Sequence, residues 1–135
     1  MVGIADLDGI GERHVGRLRD LGIGSSDDLL AYGASKRGRR ELSKATRLGE
    51  KRIHEWVKRA DLLRVPGISI KYSNLLEASG VETVRDLRRR SAPQLARKLR
   101  ELNERRKVVA RTPSEDEIRR WIDAAKELPL VIKRW

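Results

Sequence analysis

Cysteine and phenylalanine do not occur in the 135 residues, and methionine occurs once. The first absence excludes disulfides, thiolate zinc sites and cysteine nucleophiles together, and it fits a reducing compartment. Histidine is almost missing as well. His14 and His54 are the only two, and His54-Glu55 has no second histidine four residues on, so the helical zinc-protease pattern is absent. Carboxylates are mostly mixed with basic residues and form no cluster of the kind that holds magnesium. Long apolar runs are lacking too: no segment approaches the ~20 residues that cross a bilayer, and no cationic segment near the N-terminus leads into an apolar one. The expectation is a soluble, cytoplasmic, non-enzymatic protein with no cofactor, no metal and no membrane partner.

What is abundant is charge. Asp, Glu, Lys and Arg make up 38% of the chain, with a net charge of +11 and a pI near 10.7. Such an excess points to a polyanionic partner, nucleic acid first, although a small basic protein that merely stays soluble has the same composition.

The sequence repeats itself. A shift of 58 residues lays Asp8 to Leu30 over Pro66 to Arg88, pairing Gly9 with Gly67, Ile10 with Ile68, Leu18 with Leu76, Gly22 with Gly80 and Asp28-Leu29 with Asp86-Leu87. A shift of 65 lays Ile53, Trp56, Val57, Ala60 and Leu63 over Ile118, Trp121, Ile122, Ala125 and Leu128. Two blocks recurring in the same order indicate an internal duplication, with seven more residues, or about two helical turns, between the blocks of the second copy.

Every block has a helical period. Ile10, His14, Leu18 and Leu21 share a face, as do Ile68, Tyr72, Leu76 and Ser79. Gly22 and Gly80 read as C-terminal stops. Ser25-x-x-Asp28 and Thr83-x-x-Asp86 resemble capping boxes with the shorter Asp, Ser91-Ala92-Pro93-Gln94 opens another helix, and Thr112-Pro113-Ser114-Glu115 opens the one carrying Trp121. No stretch alternates long enough for a strand. The predicted architecture is all-α, a duplicated helical unit of roughly four helices per half: residues 1–64, residues 65–128 and a basic tail 129–135. The halves are too short to bury much surface alone, so they are expected to share a core across Trp56, Trp121 and the leucines.

The repeated turns carry the functional expectation. Asp8-Gly9-Ile10-Gly11 and Pro66-Gly67-Ile68-Ser69 each precede a helix whose first N–H groups lack intrahelical partners, and together with the helix dipole these attract an anion. Both turns resemble the helix-hairpin-helix motif. In the second copy the incoming helix is the one from about Gly49 to Arg64. The first copy has only Ile4, Ala5 and Leu7 before its turn, and the helix around Trp121 is expected to pack back and complete it, in the same chain or a partner's. The run "Gly-Ile-Gly … Leu-Gly-Ile … Asp-Asp-Leu-Leu", then "Gly-Arg-Arg-Glu-Leu", "Glu-Trp-Val-Lys-Arg-Ala-Asp-Leu" and "Trp-Ile-Asp-Ala-Ala-Lys-Glu-Leu-Pro" resembles domain of unknown function 4332 from about Ile4 to Pro129. That family is similar to tandem helix-hairpin-helix domains, which implies sequence-independent binding of a duplex or junction.

On that basis Gly9, Ile10, Gly11 and Arg13 of the first turn, and Gly67, Ile68, Ser69, Ile70 and Lys71 of the second, are candidate phosphate contacts. The second turn is favoured, because Asp8 and Glu12 flank the first and would repel phosphate. Between Arg85 and Arg111 there are 11 Lys and Arg against 3 Asp and Glu. Arg88, Arg89, Arg90, Arg97, Lys98, Arg100, Arg105, Arg106 and Lys107 are the candidates there, and Arg90, Arg97, Arg100 and Lys107 form one stripe if a single helix continues through them. Two readings stand: a nucleic-acid binder, duplex DNA first and nucleoid-associated, or a helical scaffold for an acidic protein partner with the turns purely structural. The sequence leaves the oligomeric state open.

Overall fold

The computed structural model describes residues 2–7 and 9–133; Met1, Arg134, Trp135 and Asp8, the acid expected beside the first turn, lie outside them. The described residues form eight α-helices and no strand. They are α1 (Glu12–Asp20), α2 (Ser26–Gly33), α3 (Lys36–Thr46), α4 (Glu50–Leu62), α5 (Ile70–Ala78), α6 (Val84–Arg88), α7 (Ala92–Arg106) and α8 (Glu115–Glu127), preceded by a 3-10 turn at Ile4–Asp6. Among them, no helix is long and apolar enough to cross a membrane.

Two compact units divide the chain: residues 1–64 together with the segment from Val131 onward, and Val65–Leu130. In the first unit α1 packs on α3, and α2 and α3 pack on α4; in the second α5 packs on α7, and α6 and α7 pack on α8. Local chemistry explains why the chain stops and restarts at matching places. Gly22 and Gly80 have φ of +84° and +97°, the left-handed backbone that ends a helix. Ser25 and Thr83 then accept a hydrogen bond from the N–H of Asp28 and Asp86. The return bond differs from a regular capping box. Each Asp carboxylate accepts instead from the residue before the cap, Gly24 and Glu82, both at 3.0 Å. Ser114 makes the full box with Glu117. Ser91 has no side-chain cap bond; there the start is set by Pro93 in the first turn.

The structure corrects several expectations about how these helices combine. The helix Glu50–Leu62, expected as the incoming arm of the second turn, belongs to the first unit, with Ile53, Trp56, Val57 and Ala60 buried. It lies so close to α2 that a Cβ on Gly33 would come within 2.4 Å of Val57 Cγ2. Trp121 does not complete the first turn. It packs under the second, 2.9 Å from where a Cβ of Gly67 would stand, and meets the Tyr72 ring at 5.3 Å. Trp56 holds the corresponding place in the first unit, edge-on to His14 at 5.9 Å. Each indole thus sits beside the turn of its own unit. Leu21, expected on the apolar face of α1, is 38% exposed as the residue after the helix, whereas Ser79 at the matching place is buried.

The seven extra residues of the second copy are not two added helical turns. α7 has 15 residues where α3 has 11, and residues 107–114 replace the three-residue link 47–49, while α6 is shorter than α2. Nor is the C-terminal segment a free basic tail: the Lys133 N–H donates to the Ala34 carbonyl, and buried Arg39 donates to the carbonyls of Gly33, Ala34 and Lys133.

Candidate nucleic-acid interface

In the second unit the turn begins with Pro66 and Gly67, both exposed, the latter at φ +91°, and then turns Ile68 into the core. A side chain at Gly67 would strike Trp121, so the backbone is bare there for a packing reason as well as a conformational one. Ser69 caps α5: its Oγ accepts from the Tyr72 N–H at 3.2 Å. The N–H groups of Ile70 and Lys71 lie in the first helical turn, where no carbonyl stands one turn earlier. The Lys71 side chain is exposed.

Lys71 borders an open cleft of about 780 Å³ that also receives Arg100 and Glu104 from α7, Lys107, and Arg111 from the following loop. The loop is shaped by Asn103. Its side chain donates to the Val109 carbonyl at 2.9 Å and accepts from the Val109 N–H at 3.0 Å, while the Lys107 N–H donates to the Asn103 carbonyl at 2.8 Å and Lys107 itself takes φ of +47°. That left-handed residue ends α7. On the far rim the Tyr72 hydroxyl donates to the Arg111 carbonyl at 3.2 Å, tying the loop to α5. Arg111 also pairs with Glu117 at 2.9 Å, an exposed ion pair whose main effect is mutual. Through that bond Glu117 raises the guanidinium's already high pKa, and Arg111 holds Glu117 below the usual carboxylate range. Four cations face one another around this cleft with Glu104 the single carboxylate lining it.

The remaining candidates are distributed differently. Arg88 is engaged inside its own unit: its guanidinium turns to the C-terminal end of α8, Nε donating to Ala125 at 2.8 Å and Nη2 to the carbonyls of Lys126 and Leu128. It neutralises the negative end of that helix. The stripe through Arg90, Arg97, Arg100 and Lys107 is broken, since Arg90 precedes α7 and Lys107 lies past its end. Arg89 is exposed at the end of α6, and Arg90 is half-buried with a guanidinium nitrogen 3.5 Å from the Cβ place of Gly80. Arg97, Lys98 and Arg105 line a separate cleft, and Arg106 is exposed in the last turn of α7. At the first turn Gly9, Gly11, Glu12 and Arg13 are exposed and Ile10 is buried. Arg59 reaches over it, with Nη1 3.2 Å from the Cβ place of Gly9. The charges of Arg17, Arg52 and Arg13, after burial, lower the pKa of His14.

Sequence reasoning named Arg111 only as the end of a basic stretch and missed Asn103 and Glu104. The signal for Asn103 was an Asn one turn before a helix end, followed by a short loop with a small apolar residue, a weak pattern until the loop is seen closed on it. Among the described residues, no three His, Asp or Glu side chains are placed to hold a metal ion.

The model of the family described as "Domain of unknown function (DUF4332)" matches residues 8–128. The chain belongs to that family. No curated protein and no solved structure matches the chain. The DUF4332 match takes in both turns and all of the basic cleft.

Proposed function

We propose that this DUF4332 chain is a non-enzymatic nucleic-acid-binding protein that grips the phosphate backbone of duplex DNA without depending on sequence. One observation carries the reading: Lys71, Arg100, Lys107 and Arg111, drawn from one helix start, one helix body and a stapled loop, converge on a single open cleft. Cations that merely keep a surface soluble repel one another and spread apart. Arg111 is already paired with Glu117, but Lys71, Arg100 and Lys107 share the cleft with Glu104 alone, an excess of positive charge that a bound phosphate chain would offset. The second glycine turn, as in helix-hairpin-helix proteins, fits the same role by exposing backbone next to Lys71. An acidic protein partner is the competing reading, and exposed Glu12 beside the first turn is what favours it, because an acid there spoils one of the two phosphate-type turns and leaves the turn a structural part.

The test is fluorescence anisotropy with unrelated 20-base-pair duplexes over a salt series. Binding at micromolar concentrations or tighter is expected, varying no more than severalfold between sequences, with log K falling on log salt by about 0.9 for each phosphate neutralised. Lys71→Ala and Arg100→Ala should each flatten that slope by roughly one. No binding at low salt would refute the reading and send the search to acidic proteins.

A further inference from the structure

The charge on α7 is sorted in a way that a flat grip on phosphates does not require. Ala92, Leu95, Ala96, Leu99 and Leu102 are buried and fix the inner face of the helix. Opposite them, by the helical period, an exposed ridge runs along Gln94, Arg97, Glu101 and Glu104. Lys98 and Arg105 fall on one flank of this ridge and Arg100 on the other; Lys98 and Arg100 point roughly 160° apart about the axis. The surface records the same division. Lys98 and Arg105 line a cleft of about 460 Å³ with Ala78 and Ser79, Arg100 and Lys107 line the cleft of about 780 Å³ described above, and the two have no lining residue in common; the ridge is where they meet, Gln94, Arg97 and Glu101 bordering the first and Glu104 the second. Cations therefore stand on both flanks, and the two carboxylates lie between them by the helical period, one at the edge of each cleft.

We propose that α7 lies in the major groove of B-form DNA. Lys98 and Arg105 meet the phosphates of one strand, Arg100 and Lys107 those of the other, and Gln94, Arg97, Glu101 and Glu104 face the base edges. This rests on the nucleic-acid reading above and adds to it the form of the duplex and the element that enters it. The dimensions agree: a helix with side chains is about 10–12 Å across and the groove about 12 Å wide, whereas the minor groove, at about 6 Å, excludes it. A single strand offers no second row of phosphates, and the deep, narrow major groove of an RNA duplex does not admit side chains. The placement also accounts for Glu101 and Glu104. On a backbone-gripping face they oppose binding, but over base edges each accepts from a cytosine amino group, as Gln94 suits adenine and Arg97 guanine. Most affinity still comes from phosphates, so the edges add only a mild preference.

The experiment compares the full chain on DNA and RNA duplexes of one length and sequence, and on the same DNA with 7-deazaguanine, which removes a major-groove acceptor and leaves pairing and backbone unchanged. Binding to RNA should be at least tenfold weaker and binding to the deaza duplex severalfold weaker, the latter effect vanishing in Arg97→Ala. The pair Lys98→Ala/Arg105→Ala should flatten the salt slope about as much as Arg100→Ala/Lys107→Asn, all variants keeping the wild-type circular dichroism because these side chains are exposed. Equal affinity for DNA and RNA, or a slope indifferent to Lys98 and Arg105, overturns the groove seating while leaving phosphate binding in place. Failure to bind any nucleic acid at low salt overturns both.

Discussion

Replacing Gly67 with alanine tests the contact on which the second turn is built. Two costs add. At φ +91° an L-residue occupies a backbone region that only glycine visits freely, worth about 1–2 kcal/mol. The new Cβ would also stand 2.9 Å from Nε1 of Trp121, a residue 2% exposed whose ring meets that of Tyr72, so that it has little room to retreat. Overpacking of this kind costs about 1–3 kcal/mol. The stiffer unfolded chain returns about 0.4–1 kcal/mol, which leaves a net loss of about 2–4 kcal/mol. Gly80, in the same unit, is the control. Its φ is +97°, but a Cβ there meets only an Arg90 guanidinium at 3.5 Å, an ordinary contact, so Gly80→Ala bears the backbone cost alone, about 1 kcal/mol. Urea unfolding followed by circular dichroism at 222 nm compares the midpoints at constant m. Adding Trp121→Phe, which removes the struck nitrogen, should recover part of the Gly67→Ala loss as a positive coupling. Equal losses at Gly67 and Gly80, with no coupling to Trp121, would refute the packing of this indole beneath the turn.

Arg88→Ala should lower stability by about 1.5–3 kcal/mol through the lost charged hydrogen bonds at the end of α8, while leaving the salt slope for DNA unchanged; a changed slope with normal stability would return Arg88 to the binding surface. His14 gives a pH dependence whose sign follows from its environment. Burial first, then Arg17, Arg52 and Arg13, hold its pKa below 6.5, so the unfolded chain binds the proton more readily. The contribution of the neutral ring is fully present above pH 6.5, is lost as the pH falls from there through the lowered folded value, and changes no further below it. His14→Tyr should flatten stability between pH 7 and 5, and an imidazole seen by NMR to titrate at or above 6.5 would contradict this.

The helix boundaries that were legible are those where the forces are local. Ser25, Thr83 and Ser114 cap with groups three residues away, and Gly22 and Gly80 stop helices through their own backbone. Partnership was not legible. Ile53, Trp56, Val57 and Ala60 specify that one face of α4 is buried but not by which neighbour, and adjacency in sequence suggested the following turn. The bare backbone at Gly33, into which Val57 fits, is the feature that ties α4 to α2, and nothing in a lone glycine of a helix announces it. The same limit applies to charge. Arg88 and Arg100 are indistinguishable as members of a basic stretch, yet one faces the carbonyls at the end of a helix some forty residues on and the other faces a cleft. What separates them is the position of the last turn of α8, set by the burial of Ile118, Trp121 and Ala125. A cluster of arginines therefore identifies a binding surface only after the helix ends that compete for guanidinium groups have been placed. Here that competition removes Arg88, and Asn103, by folding the loop back on itself, adds Arg111.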